Sequence, residues 1–419
     1  MGDVELCDRV AGENGAFRFR SRRAARVKFG DGMSFLDVFL PLYCIFGQYF
    51  LGPVTIGNWI LGVYALVLVV RSPTKRFRFD GLLLLFVTYA IISQPLVMAF
   101  EGFVNKNVAN ILLTMSCLVA IMGVLWDRVH LEKFTKCYEI VALVVAATVA
   151  VQSYQAFVLG QQTPPIRILP VPSDDNWAVM STRPCSFFSE PQALASWLAP
   201  LLFLEGSKRR YVRMLGVSFV MLLSGSTMGI VLVCFAWVLS VAKGGSPVHV
   251  KMLLLLVLAA LAAAYLNLPI FEAGRDKLAT SGVEKYSDYL RLQKAFDVYV
   301  ALPLPNQVFG IGHAMLEPLL NSGYLDFGWS REVIASGNYM SALFGVFVIY
   351  GFVGGALYWF AVLRRVSFKK DMLASCMFVL ILISSVSTSI FFSAPEVFYL
   401  LIAYATTSSE VGWVRMSVR

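Results

Sequence analysis

Five arginines, Arg167, Arg183, Arg275, Arg291 and Arg331, fall in polar stretches between long apolar runs. A guanidinium is a planar fork that donates two parallel hydrogen bonds to a phosphate or carboxylate and stays charged at working pH. Held against a group that gains negative charge as a bond breaks, such a fork stabilises the transition state. Three groups in similar positions could move a proton: Glu190 in SEPQAL, His313 in FGIGHAM and Glu396 in SAPEVF. A base must stand within hydrogen-bond reach of the hydroxyl it activates, and the ordinary pKa of histidine suits that task. Each also has a plain reading. The arginines can sit at lipid headgroups, Glu190 can be a helix-end carboxylate favoured by the helix dipole, and a lone loop histidine can be structural.

The segments that must position these groups are apolar. The chain has 419 residues, 58% hydrophobic and only 15% charged, with mean hydropathy +0.69, against roughly 25% charge in an ordinary soluble domain. Many runs reach the roughly 20 residues that cross a bilayer core. Backbone polar groups must be satisfied inside the bilayer, so these runs predict helices, and strand-like alternation is absent. The pattern predicts an all-α polytopic membrane protein with about twelve transmembrane helices: 34–51, 55–70, 80–100, 108–126, 137–159, 189–205, 211–224, 226–242, 251–270, 337–362, 372–390 and 395–409. A basic N-terminal segment, 1–33, precedes them, and a tail, 410–419, follows. Spans 1–9 occupy 34–270, spans 10–12 occupy 337–409, and two longer polar loops stand out, 160–188 and 271–336.

The net charge of +9 is explained by topology. With an even number of spans both termini share a side, and that side carries 26 of the 35 Lys and Arg. Basic residues in short loops mark the cytoplasmic face. Both termini are therefore expected in the cytoplasm, with loops 160–188 and 271–336 outside, and the excess charge is no footprint for nucleic acid. The run RFRSRRAARVK orients the chain and attracts anionic membrane lipids.

The cytoplasmic loops are too short for a nucleotide-binding domain, and no G-x-x-x-x-G-K-[ST] motif occurs. Gly310-x-Gly312 lacks the strand–GxGxxG–helix context of a dinucleotide site. Of seven cysteines only Cys185 falls outside, which leaves no disulfide framework. No Cys/His metal spacing is present, so neither a metal nor another cofactor is expected. Loop 160–188 is stiffened by five prolines. In loop 271–336 the stretch GVEKYSDYLRLQKAFDVYV suggests an amphipathic helix on the membrane surface. The glycines of NQVFGIGHAM suit a turn or a close backbone approach.

STRPCSFFSEPQALASWLAPLLF resembles the Arg-x-x-x-x-Phe-x-Glu-Pro segment of bacterial Wzy-type polysaccharide polymerases and the related O-antigen ligases. MLLSGSTMGIVLVCF is similar to the Ser/Thr-Gly segment that opens a later span in that superfamily. SDYLRL, FGIG and SGNYMSALFGVFVIYGFVGG resemble its large periplasmic loop and the span that follows. FFSAPEVFYLLIAY looks like the Ser-Pro-Glu segment of colanic-acid-type exopolysaccharide polymerases. The resemblance covers about residues 180–405. It implies a GT-C-like architecture in the bacterial inner membrane. It also implies a metal-independent glycosyltransferase that joins undecaprenyl-diphosphate-linked repeat units into exopolysaccharide or O-antigen. A chain-length regulator and a flippase of the same pathway are the partners it implies. The alternatives are a ligase that moves finished glycan to another acceptor, and a twelve-span secondary transporter.

On this resemblance Arg183 and Arg291, with Arg275 third, are expected to hold the leaving diphosphate. Glu190, His313 and Glu396 are the candidates for the base. Related ligases carry a His-Asn pair where this chain has Gly337-Asn338, so a base at that point is missing here, and Asn338 either holds a sugar hydroxyl or caps a helix. Trp177 and Tyr289, with Tyr286, Tyr299, Tyr324 and Trp329, either stack on sugar rings or anchor spans at the interface.

Overall fold

The computed structural model describes residues 35–52, 54–70, 76–101, 106–125, 131–169, 183–242, 248–272, 275, 293–321, 340–368, 371–387, 392–407 and 413–417. The described chain is mostly helical. Nine helices precede the long polar loop: α1 (Phe35–Phe46), α2 (Ile56–Val70), α3 (Gly81–Glu101), α4 (Lys106–Leu125), α5 (Leu131–Phe157), α6 (Pro191–Ser207), α7 (Tyr211–Leu223), α8 (Thr227–Ala242) and α9 (Val248–Asn267). Three shorter ones lie within it: α10 (Lys294–Ala301), α11 (Leu304–Phe309) and α12 (Gly312–Asn321). Then come α13 (Ala342–Leu363), α14 (Met372–Ser387) and α15 (Ala394–Thr406). A helix thus forms in each of the twelve apolar segments. Segments Lys133–Phe157, Val248–Asn267 and Ala342–Leu363 are long and apolar enough to cross a membrane. The outward faces of α5 and α9 expose Leu143, Val144, Met252, Leu253 and Leu256, an apolar surface of the kind that bilayer lipid covers. The N-terminal segment 1–33 lies outside the described residues.

The core sits around α6, nearly all of which is buried. Pro200 interrupts this helix and has no N–H to offer the carbonyl of Ser196. Tyr399 of α15 takes that place, its hydroxyl donating to Ser196 O at 2.6 Å. Trp197 Nε1 donates to Pro41 O of α1 at 2.6 Å, and the Tyr138 hydroxyl of α5 donates to Trp197 O. Three neighbours are thereby locked to one helix through polar bonds in an apolar interior, where an unmade bond is costly.

At one end of the bundle, strand β3 (Arg76–Asp80) pairs antiparallel with β4 (Trp413–Ser417), Arg76 opposite Ser417 and Asp80 opposite Trp413. Asp80 is buried and caps α3 by accepting from the N–H groups of Leu82 and Leu83 at 3.0 and 3.1 Å. It is also gripped by Arg364 and by Arg365, whose Nε and Nη2 approach Oδ2 at 2.8 and 2.6 Å. At the other end, the Glu190 end, a two-residue pair, β1 (Phe50–Leu51) and β2 (Val54–Thr55), turns α1 into α2.

Within the polar loop, the described residues 293–321 pack against the bundle. The segment α10–α12 folds as a hairpin against α3 and α13. Phe296 meets Phe344 edge-on at 5.9 Å and Tyr299 meets Phe347 at 6.0 Å, so α10 follows α13 inward. At the hairpin tip Gly310 and Gly312 take φ of 84° and 73°, which a side chain would resist. Ile311 N donates to Val348 O at 3.1 Å. There α13 is itself broken, with Gly351 at φ 66° and ψ −176°. Tyr89 of α3 donates to both Phe309 O and Tyr350 O, at 2.7 and 3.1 Å. The tip lies nine residues into α13, about 13 Å along its axis. Of the expected amphipathic helix, residues 282–292 lie outside the described residues. Its described part starts at Lys294, which is buried, and it packs on α13 while Phe296 and Val300 stay half exposed.

Candidate functional site

The segment 183–190 is held almost entirely through its backbone. Gln152 of α5 accepts from Cys185 N and Ser186 N at 3.1 and 2.7 Å, while its Nε2 donates to Pro164 O at 3.0 Å. Gln48 accepts from Ser189 N at 2.6 Å. Ile166 N donates to Ser186 O at 2.8 Å, Thr148 and Ser186 share a hydroxyl bond, and Phe188 is buried against Trp197. Ser186 takes φ 55°, a costly conformation for a residue with a Cβ that these bonds over-determine. The result is a rigid platform that carries Arg183 at one end and Glu190 at the other.

Arg183 is half-buried and its Nη1 reaches Gly225 O at 3.5 Å. Burial lowers its pKa, and the nearby Glu190 carboxylate works in the opposite direction. Gly225 (φ 62°) forms the tight turn between α7 and α8. Ser226 Oγ accepts from Gly229 N at 3.4 Å and so caps the start of α8. Helices α6 and α8 run side by side in the same direction. A Cβ on Gly229 would stand 3.3 Å from the Ala195 Cβ. Phe203 meets Phe235 at 5.7 Å, and a Cβ on Gly206 would stand 3.2 Å from Ser240 Oγ. Two helix N-termini, Pro191 and Thr227, therefore open at the same end as Arg183. Each contributes the partial positive charge of its aligned peptide dipoles. Glu190 occupies the N-cap of α6 in an extended conformation, exposed and without a side-chain capping bond. The arrangement suits an anionic group with an acidic side chain at its edge. Cys185, beside Arg183, is buried, and burial pushes its thiol up to about 12.

His313 and Glu396 meet elsewhere, around Tyr350. The His313 ring stands edge-on to Tyr350 at 5.6 Å, and its backbone N–H donates to Gln94 Oε1 at 2.9 Å. Its Nε2 is shut off from solvent and has no hydrogen-bond partner among the described residues. Burial lowers its pKa to about 4, so the imidazole is neutral at pH 7. The sequence reading has His313 in the external loop; the structure shows it buried, where the Gly310–Gly351 contact packs its segment against α3 and α13. Glu396 is buried at the first turn of α15. Its Oε1 accepts from the Tyr358 hydroxyl and its Oε2 from Phe392 N at 2.7 Å. Phe86 packs against Tyr350, Tyr358 and Phe392. One turn further along α15, Tyr399 joins this group to α6 through Ser196.

Arg275 belongs to neither group. Its Nη1 donates to Tyr265 O and Leu268 O, both at 2.8 Å, and so closes the end of α9. Arg291, Asn338, Trp177 and Tyr289 lie outside the described residues. Sequence reasoning passed over Gln48, Gln152, Tyr89 and Gln94, which fix the two groups in place. The available signal was a glutamine inside an apolar run, at ISQPL and at AVQSYQ, since a polar side chain at such a position needs a partner. No protein-family model matches the chain, and no curated protein matches it.

Proposed function

We propose that the protein is a twelve-span polymerase of the bacterial inner membrane, with both termini cytoplasmic. It joins undecaprenyl-diphosphate-linked oligosaccharide repeat units into exopolysaccharide or O-antigen at the periplasmic face. The observation that carries this reading is the convergence of Arg183 with the N-termini of α6 and α8. A lipid diphosphate gains negative charge as its glycosidic bond breaks, and a fixed guanidinium beside two helix N-termini meets that charge without reorganisation. The sugar hydroxyl of the incoming unit attacks the anomeric carbon, its proton passes to a base, and the lipid diphosphate leaves. Glu190, at the rim of the same site, is the side chain placed to orient or deprotonate that hydroxyl. His313 and Glu396 are enclosed by the hairpin and by Tyr358, so they are assigned to the support of α13 and α15 rather than to contact with the sugar. Arg291 is assigned to the diphosphate with Arg183 on the resemblance alone.

Deletion of the gene in its host tests this, followed by mass spectrometry of lipid-linked glycans and sizing of surface polysaccharide. Single repeat units without long polymer are expected. Long lipid-linked polymer that fails to reach its final acceptor would mark a ligase instead. Unchanged glycans would overturn the enzyme reading and favour a secondary transporter. The break in α13 at Gly351 supports that second reading, since interrupted helices form many transporter sites. Here, however, the freed carbonyls are taken up by Ile311 and Tyr89.

A further inference from the structure

At the Gly160 end of α5 a groove of about 610 Å³ lies between the helix and the extended stretch 161–166, within the size range of small-molecule sites. Its position follows from the chain turn at Gly160, where φ is 62°. The turn brings Gln161 N to Gln155 O at 3.0 Å, so that Gln155, Gln161 and Gln162 share one rim. The side chains of these three glutamines make no hydrogen bond among the described residues. The walls below are apolar, formed by Val151, Pro164 and Pro165 among others, and no ionisable side chain lines the groove.

We propose that this groove binds an uncharged stretch of saccharide. Sugar hydroxyls both donate and accept, and each glutamine amide offers two donors and two lone pairs. The C–H faces of a sugar ring rest on surfaces such as Val151 and the prolines. A phosphate would need a cation, which the groove lacks, and a prenyl chain would leave three amides facing hydrocarbon at a cost. The floor is already committed. Gln152 is buried, and its amide is used on Pro164 O, Cys185 N and Ser186 N. It holds the groove wall to the platform that carries Arg183, and Ile166 N on Ser186 O ties the same two strands. The groove wall is thus tied to the segment that carries Arg183, and charge and sugar are read in neighbouring places. The inference rests on the proposed polymerase function and names where the glycan chain is held.

The test uses the full-length protein in lipid nanodiscs and, as probe, the neutral oligosaccharide released from the host's own surface polysaccharide, followed by saturation-transfer NMR. Wild-type protein is expected to bind the probe. The combined Gln155→Leu, Gln161→Leu, Gln162→Leu variant should bind at least about tenfold more weakly, by the loss of several hydrogen bonds. The single Gln155→Leu variant provides the same comparison with one change. No binding by wild-type protein, or equal binding by the triple variant when it elutes as the same single species, overturns the proposal. The deletion strain reports separately on the polymerase reading. Normal polymer there would overturn that reading whatever the groove binds, whereas lost polymer together with undiminished probe binding by the triple variant would overturn the groove alone.

Discussion

Gly310 and Gly351 face one another so closely that neither position can carry a side chain. A Cβ on Gly310 would stand 2.3 Å from Ile349 O, and one on Gly351 would stand 2.3 Å from Val308 O. Both glycines also hold positive φ. This contact seats the hairpin tip against the break in α13, and the Tyr89 hydroxyl closes it from α3.

Alanine at either glycine should therefore undock the hairpin. Gly160→Ala is the control, because Gly160 has positive φ but nothing within 4 Å of a Cβ. It should cost only the conformational term of about 1 kcal/mol. Gly310→Ala and Gly351→Ala should cost several times more, the signature of backbone overlap added to strain. Thermal unfolding of the detergent-solubilised variants, read by size-exclusion profile, measures the difference.

Asp80 is the buried anion at the other end, shared by Arg364, Arg365 and the first turn of α3. Asp80→Ala leaves a buried guanidinium without its partner, and such losses run to about 3–5 kcal/mol. Asp80→Asn keeps the cap but not the charge and should fall between. Yield of monodisperse protein and melting temperature report both.

Arg183→Ala should lower polymer synthesis about a hundredfold, the scale of losing one preorganised donor, with the protein still inserted. Arg183→Lys should recover part of that, since an ammonium supplies charge without the fork. Polysaccharide sizing and immunoblotting of membranes read both. Wild-type polymer length in the alanine variant would remove the diphosphate assignment.

Cys185, with its thiol pushed up to about 12, remains protonated near pH 8 and is also shielded. Because the thiolate is the nucleophile, maleimide should leave Cys185 unmodified in the folded protein and label it after denaturation. Peptide mass spectrometry identifies the site.

The His313 pKa is lowered from 6.5 to about 4 by burial. Between those values the unfolded chain binds a proton that the folded chain refuses. Stability from this group is therefore complete above the unfolded value and declines as pH falls toward the folded one. Melting temperature should drop as pH falls from about 7 to about 4, and His313→Gln should flatten that dependence.

The membrane character and the helix in each apolar segment were legible in the residue order, because length and hydropathy act locally along the chain. So was the value of the glycines in FGIG as a close-approach segment. Partners distant in sequence were not legible: that Gln48 and Gln152 would hold the platform for Arg183, that Tyr399 would fill the bond vacated by Pro200, or that Gly310 would find Gly351. Hydropathy assigns 271–336 to the outside because it averages over polar residues. Docking of the hairpin is decided by two backbones without side chains and one hydroxyl, and those act only once α3 and α13 stand side by side. The grouping of Arg183 with two helix ends is tertiary for the same reason. Each helix carries its own dipole, but only the parallel packing of α6 on α8 brings two N-termini to the same end as one arginine.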